Sequence, residues 1–249
     1  MANPLYSIIT VCLNNKEGIL QTASSIQEQT AKNFEWIVID GQSSDGSADA
    51  IRSIPCLTHL ISEPDDGIFH AMNKGISLAK GKYCLFLNSG DWLYSSTVLE
   101  EAANQLHGDL ITGWLTFIYP DQYNKTPKLR RLDLLDIRKK YLYYRSLHHQ
   151  ATFIRRTLFS QFGGYDQRYN IYGDWDFFLR VINQGTKVNF IPLCIANYTF
   201  DGISSISFGT ELSKKEIKKI HQQHFSPLYR IKRTIVDSIE RAFNIKRGF

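Results

Sequence analysis

Four small or polar residues, Asn88-Ser89-Gly90-Asp91, follow directly after the apolar run 83–87. That run is too short for an ordinary helix and suits a buried strand. In an open α/β sheet, ligands bind just outside the carboxyl ends of the strands. A carboxylate in that position can hold a divalent metal, and the metal can hold phosphate groups. The alternative is a strand-to-helix turn in which Asp91 only caps the next segment.

Three further polar clusters follow the strands that we predict upstream of this one. They comprise Thr10 and Asn14 after the first strand, Asp40 and Asp45 after the second, and Glu63 and Asp66 after the third. Because the carboxyl ends of parallel strands meet at one edge of a sheet, four such clusters predict a ligand site there. Asp40 can accept a hydrogen bond from a pyrimidine N–H, or it can cap the next helix. Lys74 can meet a phosphate, or it can stay solvated.

The first half of the chain alternates between predicted strands and predicted helices. The strands fall at 5–13, 34–40, 58–62 and 83–87, and the helices at 18–29, just after 47 and from 68 to 79. This alternation predicts right-handed crossovers and an α/β fold whose central sheet is mainly parallel, with helices on both faces. The G-x-G-x-x-G fingerprint and the P-loop are absent from the sequence, which excludes two common nucleotide-binding motifs.

The second half is less regular, and it ends in two basic helices. Strands are expected at 109–119, 150–154, 188–193 and 195–200, and helices at 97–106, 156–162, 174–184, 211–224 and 228–244. From Lys214 onward the chain has ten Lys or Arg against three Asp or Glu, whereas the preceding 213 residues have a net charge of −2. The positive charge therefore belongs to the tail rather than the body, and no nucleic-acid partner is expected.

The composition is that of a globular protein able to bury a core, with 43% hydrophobic residues among 249. The four cysteines show no metal-ligand spacing, which predicts reduced thiols in a cytosolic protein. The first strand begins too early to leave room for a signal peptide, and no apolar run approaches the ~20 residues of a membrane span. We therefore expect a cytoplasmic protein.

Seven ordered motifs give the chain a family resemblance. They are SIITVCLNN (7–15), FEWIVIDGQSSDGS (34–47), SEPDDGIFHAMNKG (62–75), GKYCLFLNSGD (81–91), HHQATFIR (148–155), FGGYDQRYN (162–170) and YGDWDFFLR (172–180). Together they resemble the inverting family 2 glycosyltransferases of the GT-A fold, in particular the bacterial enzymes of colanic acid, O-antigen and capsule assembly. The resemblance covers roughly residues 5–200.

The resemblance implies roles for the residues at the strand ends. Asp40 would contact the base of a nucleotide-sugar and Thr10 its nucleoside. The rest of the nucleotide pocket would be formed by Asn14, Asp45, Asp66, Asn73, Lys74, Asn88, Ser89 and Gly90. The run 88–91 stands where the family has its D-x-D element, so Asp91 would face a divalent metal, Mn²⁺ or Mg²⁺. Asn88 and Gly90 replace acidic residues of many relatives, which leaves Asp91 as the single charge of the motif.

The resemblance also places Asp174 as the catalytic base, because it occupies the position of that residue in the family. A carboxylate in the first turn of a helix faces free N–H groups that favour its ionised form. The alternative is that Asp174 is only an N-cap. Asp176 lies two residues on and would face elsewhere. His149 would touch the diphosphate, the metal or the acceptor, or be a structural histidine, and Trp175 would stack on the acceptor sugar.

These expectations describe a GT-A glycosyltransferase domain over 1–210, with a nucleotide-sugar half to about 115 and an acceptor half from 116. A basic helical extension would follow over 211–249. The domain would transfer a sugar, with a UDP-sugar as the expected donor, to a hydroxyl of a glycan or lipid-linked glycan, with inversion. The rival interpretations are a sugar-1-phosphate nucleotidyltransferase, which has a related sheet, and a glycan-binding module without activity.

The last predicted helix carries an apolar stripe between basic residues. The stripe comprises Leu228, Ile231, Ile235, Ile239 and Phe243, flanked by Arg230, Lys232, Arg233 and Arg241. This pattern resembles a basic amphipathic helix at a membrane interface and predicts peripheral contact with the cytoplasmic membrane through 228–249. The alternative is that the stripe packs on the body of the protein or on a second subunit.

Overall fold

The computed structural model describes residues 3–131, 139–200, 202 and 206–242. The strands are β1 (Tyr6–Cys12), β2 (Phe34–Asp40), β3 (Leu57–Ser62), β4 (Tyr83–Phe86), β5 (Trp92–Leu93), β6 (Leu110–Ile118), β7 (Lys128–Arg130), β8 (Thr152–Arg155) and β9 (Val188–Thr199). The helices are α1 (Lys16–Gln27), α2 (Ser47–Ile51), α3 (Ile68–Leu78), α4 (Val98–Ala103), α5 (Lys139–Tyr144), α6 (Thr157–Phe162), α7 (Gly173–Asn183), α8 (Glu211–His224) and α9 (Pro227–Ala242).

The strands of the first half form the parallel part of one mixed sheet, whose order is β3-β2-β1-β4-β8-β6-β9-β5. The pairs β1–β2, β1–β4 and β2–β3 are all parallel, as the alternation of elements predicted. In this register Cys12 lies opposite Asp40, and Asp40 lies opposite Ser62. The polar residues that follow these three strands therefore start from neighbouring points on one edge.

The second half adds antiparallel pairs, so the sheet as a whole is mixed. Strand β8 runs antiparallel to β4 and β6, whereas β9 runs parallel to β6. The two late strands expected from the sequence are one strand, β9. Its pairing with β6 shifts register on both sides of Trp114, where Pro192 lies in β9. Because proline cannot donate to a ladder, it is tolerated at such an irregularity.

Helices cover both faces of the sheet, as expected. In β1, Ile8 packs with α1 and α4 on one face, whereas Ile9 packs with α3 and α7 on the other. This opposite placement follows from the two-residue repeat of a strand. The four cysteines are free thiols, and burial raises the pKa of Cys84 to about 12, so that thiol is inert at neutral pH.

Helix α8 is part of this core rather than an appendage, which corrects the predicted domain boundary at 210. Ile220 and Phe225 are buried in the same cluster as Phe177 of α7. The His221 ring stacks on Tyr143 of α5 with centroids 3.9 Å apart. The sequence pattern of α8, with few apolar residues, concealed this role, since only a narrow stripe faces inward.

Candidate active site

His149 joins two of the predicted site elements. It lies in a short 3-10 turn just before β8, with its Nε2 3.3 Å from Asn88 Nδ2 and its Nδ1 3.2 Å from Asp174 Oδ2. An ionised carboxylate only accepts hydrogen bonds, so Nδ1 donates to Asp174 and Nε2 is left to accept from the Asn88 amide. The hydrogen-bonded series Asn88–His149–Asp174 thus connects the loop after β4 to the start of α7.

Asp174 is held at both oxygens and still reaches solvent. Its Oδ1 accepts a hydrogen bond from the Trp175 amide at 2.8 Å, and its Oδ2 faces His149. The helix begins at Gly173 with Tyr172 as N-cap residue, so Asp174 is not the N-cap. Its side chain is 16% exposed. The geometry is that of a fixed and partly exposed carboxylate, which is what a general base needs.

Asp176, two residues further on, faces away from this site, as the helical spacing predicted. Its Oδ1 lies 2.8 Å from His224 Nε2, and its Oδ2 lies 3.4 Å from the Arg180 guanidinium. The residue is buried against the end of α8. Asp176 therefore belongs to the contact between α7 and α8 and has no path to a substrate near Asp174.

Asp91 is a buried, fixed carboxylate. It is 4% exposed, accepts a hydrogen bond at Oδ2 from Gln150 Nε2 (3.1 Å) and at Oδ1 from the Thr199 amide (3.2 Å). The preceding Gly90 has a positive φ of 97°, a conformation that glycine adopts without strain, and its carbonyl accepts a hydrogen bond from Thr199 Oγ1. Gln150 follows His149 directly, so one short turn holds both the 88–91 loop and Asp174.

The donor atoms of this loop suit a divalent metal that is completed by substrate. Asn88 Oδ1 is buried without a hydrogen-bond partner, and it lies in the same loop as the Asp91 carboxylate. Among the described residues, no cluster of three or more His, Cys, Asp or Glu could hold a metal by itself. Mg²⁺ and similar ions commonly take one or two carboxylates and complete their shell with phosphates and water. The residues therefore fit a metal shared with a diphosphate.

The loops after β1, β2 and β4 are fastened to one another. Asn14, in the left-handed region with φ 48°, accepts a hydrogen bond from the Ser44 amide at Oδ1 and donates its own N–H to Ser43 Oγ. Asn15 caps α1 and also donates to the Ser89 carbonyl, while Ser89 Oγ donates to the Asn15 carbonyl. The sequence indicated Asn14 and Ser89, but missed Asn15 as the link between them.

Asp45 stabilises the loop after β2 and connects it to the start of α1. Its carboxylate accepts hydrogen bonds from the Lys16 amide at the start of α1 and from the Ser47 amide at the start of α2. The side-chain hydrogen bond from Ser47 is the main reason why the pKa of Asp45 lies below its ordinary value. Asp45 thus stays charged and orders two helix starts at the site's edge.

Asp40 and Thr10 lie below the surface, and the structure does not bring either side chain to the place expected of a nucleoside contact. Asp40 is fully buried and accepts hydrogen bonds from the Ser43 amide, Ser43 Oγ and Ser62 Oγ. Thr10 is fully buried as well, and its Oγ1 accepts a hydrogen bond from the Trp36 indole. Both residues shape the floor under the loops instead.

Asn73 and Lys74 are also occupied by protein partners. Asn73 accepts a hydrogen bond from the Tyr165 amide and donates to the Tyr165 carbonyl, which ties α3 to the loop after α6. Lys74 Nζ lies 2.7 Å from Glu63 Oε1 and 2.8 Å from Asp65 Oδ1. Because the two carboxylates offset its positive charge, Lys74 would attract a phosphate only weakly. The structure therefore does not support phosphate binding by Lys74.

Two more predicted residues have clear positions. Asp66 is exposed on the loop before α3, and its amide donates to His70 Nδ1 at 2.9 Å. Trp175 is buried, and its indole N–H donates to the Leu142 carbonyl at 2.9 Å. The prediction that Trp175 stacks on an acceptor is therefore wrong, because the ring lies in the core beneath Asp174.

Glu216 of α8 supports the site, and no sequence signal pointed to it. Glu216 is 5% exposed, and its carboxylate accepts hydrogen bonds from the amides of Asn170 (2.7 Å), Ile171 (3.1 Å) and Tyr172 (3.1 Å). These three residues lead directly into the first turn of α7, where Asp174 lies. A buried carboxylate with three N–H donors fixes the backbone of that segment.

We expect Glu216→Gln to lower catalytic efficiency while nucleotide binding is retained. The amide has one acceptor oxygen in place of two, so at least one amide of 170–172 loses its partner. The expected cost is about 1–3 kcal/mol of unfolding free energy. Steady-state kinetics and calorimetric nucleotide binding would measure both effects. The control is Glu211→Gln on the same helix, where the exposed carboxylate has Lys214 as its one ion-pair partner among the described residues. Equal kinetics for the two variants would contradict the role of Glu216.

The sequence comparisons place the chain in a family. Residues 7–163 match glycosyl transferase family 2. The chain therefore belongs to this family, and its fold is that of a glycosyltransferase of the GT-A type. It is 31% identical over 230 residues to the PGL/p-HBAD biosynthesis glycosyltransferase of Mycobacterium bovis (strain BCG / Pasteur 1173P2), covering 86% of this chain and 85% of the relative.

Other relatives agree with this class. The amylovoran biosynthesis glycosyltransferase AmsB of Erwinia amylovora is 24% identical over 208 residues, which is 78% of this chain and 69% of AmsB. Among solved structures, S. aureus TarS 1–349 in complex with UDP-GlcNAc has a TM-score of 0.67 at 16% identity, covering 97% of this chain and 73% of TarS 1–349. The mannosyltransferase PcManGT of Pyrobaculum calidifontis, in complex with GDP-Man and Mn²⁺, has a TM-score of 0.63 at 18% identity, covering 84% of this chain and 60% of PcManGT.

Proposed function

We propose that this glycosyltransferase moves a sugar, with inversion, from a UDP-sugar to a hydroxyl of a growing glycan or lipid-linked glycan in bacterial surface polysaccharide synthesis. One observation carries the proposal. His149 joins the Asp174 carboxylate to the loop that ends in Asp91. One side chain thus connects the proposed base to the proposed diphosphate loop, and transfer between two bound substrates requires such proximity.

In the proposed mechanism Asp174 accepts the proton of the acceptor hydroxyl during its attack on the anomeric carbon. His149 keeps the carboxylate in place through its Nδ1–H, and Asn88 in turn orients the imidazole. A divalent metal, when bound, supplies positive charge against the departing diphosphate. Asp91 and Asn88 would hold it, and Gln150 and the Thr199 amide keep the Asp91 oxygens in a fixed position.

The ligands named in the related structures, UDP-GlcNAc for TarS and GDP-Man for PcManGT, support a nucleoside-diphosphate sugar as donor, and the choice of UDP is part of our proposal. We expect UDP to bind this chain more tightly than GDP or ADP. The difference should be about 1–3 kcal/mol, the cost of leaving a hydrogen-bonding group of the wrong base unpaired. Because Asp40 is buried, we attribute base selection to the loop 41–46 that it supports. Isothermal calorimetry with the three nucleotides in Mn²⁺ buffer is the measurement, and equal affinities would contradict a UDP donor.

The two rival functions give different products in one assay. A sugar-1-phosphate nucleotidyltransferase would release pyrophosphate, and a binding module would release nothing. The glycosyltransferase should release the nucleoside diphosphate, slowly with water and faster with acceptor. The nucleotidyltransferase also needs a glycine-rich, arginine-containing loop after the first strand. Here that place is taken by Asn14 and Asn15, which are engaged with Ser44 and Ser89.

The apolar stripe of α9 is open to solvent, which favours a membrane role over packing on the body. Leu228, Ile231, Ile235 and Ile239 are 78%, 58%, 56% and 48% exposed, while Phe243 lies outside the described residues. The opposite side of the helix packs through Arg233, which donates to the Tyr144 hydroxyl. Of the helices described, none has the length and apolarity needed to cross a bilayer. We propose that α9 lies in the head-group region beside a lipid-linked acceptor.

The double variant Ile231→Gln/Ile235→Gln should bind acidic vesicles at least tenfold more weakly. Each fully buried isoleucine contributes about 1.5–3 kcal/mol, and both positions are more than half exposed, so the change should disturb little packing. Co-sedimentation with phosphatidylglycerol vesicles is the measurement. Leu129→Gln, an exposed apolar residue on β7, is the control. Full binding by the double variant would show that the stripe serves another contact.

A further inference from the structure

A pocket of ≈ 380 Å³ lies between α8, α9 and the end of α5, and its lining differs from the residues of the active site. Its volume is within the range of small-molecule sites. The polar and aromatic lining consists of Tyr143, Lys214, Lys218, His221, Gln222 and Arg230. Three of these are cations, and no carboxylate is among the lining residues. The pocket therefore combines a mainly apolar surface, to which Ile217 contributes, with three cationic side chains of the C-terminal helices.

Arg230 is the most informative member of this set. Its Nε is buried and has no hydrogen-bond partner among the described residues. Leaving a buried charged donor unpaired is costly, and proteins usually satisfy such groups. The nearest carboxylate of the same helix, Asp237, is engaged by Arg233 at 3.0 Å. The Nε–H of Arg230 is thus a buried donor at this pocket, with no acceptor among the described residues.

The two lysines extend the charge along α8. Lys214 and Lys218 are four residues apart and so lie on the same face of the helix. Lys214 pairs with Glu211 at 2.7 Å, whereas the part of the chain that the structure describes contains no ion pair for Lys218. The floor is rigid, because the His221 ring stacks on Tyr143 and its Nε2 donates to the Tyr143 carbonyl at 2.7 Å. Burial is the main reason why the pKa of His221 lies below its ordinary value. The hydrogen bond to the Tyr143 carbonyl opposes this shift, and the Arg230 charge adds to it.

We propose that this pocket binds a phosphoryl anion, a phosphate or diphosphate, through the Arg230 guanidinium and the Lys218 and Lys214 ammonium groups. Arginine offers a planar set of N–H donors that matches phosphate oxygens, and lysine adds point charges around them. The phosphoryl group can belong to a soluble molecule or to a lipid head group, because the apolar stripe of α9 is exposed on the same helix. The site is separate from the donor site and does not depend on the proposed reaction.

Calorimetric titration of the full-length protein with inorganic pyrophosphate tests the proposal. The protein is first saturated with UDP and Mn²⁺, which fills the donor site. We expect binding to the wild type and about tenfold weaker binding to Arg230→Gln and to Lys218→Gln, the latter being an exposed change with no risk to folding. UDP affinity should stay unchanged in both. Lys219→Gln is the matched control, because its ammonium lies over the Tyr169 ring outside the pocket. Pyrophosphate binding that is equal in all four proteins would overturn the proposal.

Vesicles separate the two sources of the phosphoryl group. Co-sedimentation uses phosphatidylcholine alone or phosphatidylcholine with phosphatidic acid, on the wild type, Lys218→Gln and the stripe variant Ile231→Gln/Ile235→Gln. Recruitment by phosphatidic acid that is lost in Lys218→Gln assigns the pocket to a lipid phosphate. Binding of pyrophosphate without such recruitment assigns it to a soluble phosphate. The absence of both pyrophosphate binding and Lys218-dependent recruitment would overturn the site.

Discussion

Asp174→Asn is expected to lower turnover by roughly 10²–10⁴-fold, the usual contribution of a general base. The amide oxygen can still accept the hydrogen bond of the Trp175 amide, but its NH₂ then faces the Nδ1–H of His149. We therefore expect a loss of about 1–3 kcal/mol in unfolding free energy, with the donor affinity of the folded variant retained. The asparagine cannot take a proton from the acceptor hydroxyl. Single-turnover transfer with the wild-type donor, together with calorimetric UDP binding, measures the two quantities separately.

The matched control is Asp176→Asn on the same helix. That carboxylate contacts His224 and Arg180 in the interface of α7 with α8. Its loss should lower the free energy of unfolding by about 1–3 kcal/mol and leave turnover per folded molecule within a few-fold. If Asp174→Asn stays within a few-fold of the wild type while folded Asp176→Asn is inactive, the base has been assigned to the wrong carboxylate.

Asp91→Asn should remove most transferase activity, on the order of 10²-fold or more, together with the response to Mn²⁺ or Mg²⁺. The structure shows both oxygens of this buried carboxylate engaged by hydrogen bonds. An asparagine would turn its NH₂ toward either the Gln150 amide or the Thr199 N–H. We therefore expect an additional loss of about 1–3 kcal/mol in unfolding free energy.

Activity must accordingly be compared at a temperature where the variant is folded, as judged by circular dichroism. Transfer is measured in chelator and in graded Mn²⁺. Asp109→Asn, which removes a carboxylate paired with Arg155 at the surface, is the control and should keep the metal response of the wild type. Wild-type activity that is the same in chelator and in Mn²⁺ would remove the metal role from Asp91.

The local pattern of the chain accounts for much of the fold. The limits of β2 and α8 were predicted to the residue, and those of β1, β3 and α3 within one or two residues. These elements are determined by short-range physics, namely the apolar period, the glycine and proline positions and the turn residues. The motifs that contain Asn88, His149 and Asp174 were also visible in the sequence, because each is a short run at a strand or helix end.

The tertiary structure decided which of the candidate side chains are available to a ligand. Asp40, Thr10 and Lys74 have suitable chemistry, yet each is paired with a protein group. The partners of Asp40 and Thr10 include Ser62 and Trp36, which lie 22 and 26 residues away in the chain. A hydrogen bond between distant residues depends on strand order and register, and the sequence pattern of one segment contains neither.

By itself, then, the sequence determined the elements, the parallel first half of the sheet and the family motifs, because these depend on neighbours in the chain. Only the tertiary structure brought His149 between Asn88 and Asp174, buried Trp175 beneath the site, and placed Glu216 of α8 under the segment 170–172. It also left the stripe of α9 uncovered. Burial and pairing are properties of surfaces that meet in space, and those surfaces come from segments far apart in the chain.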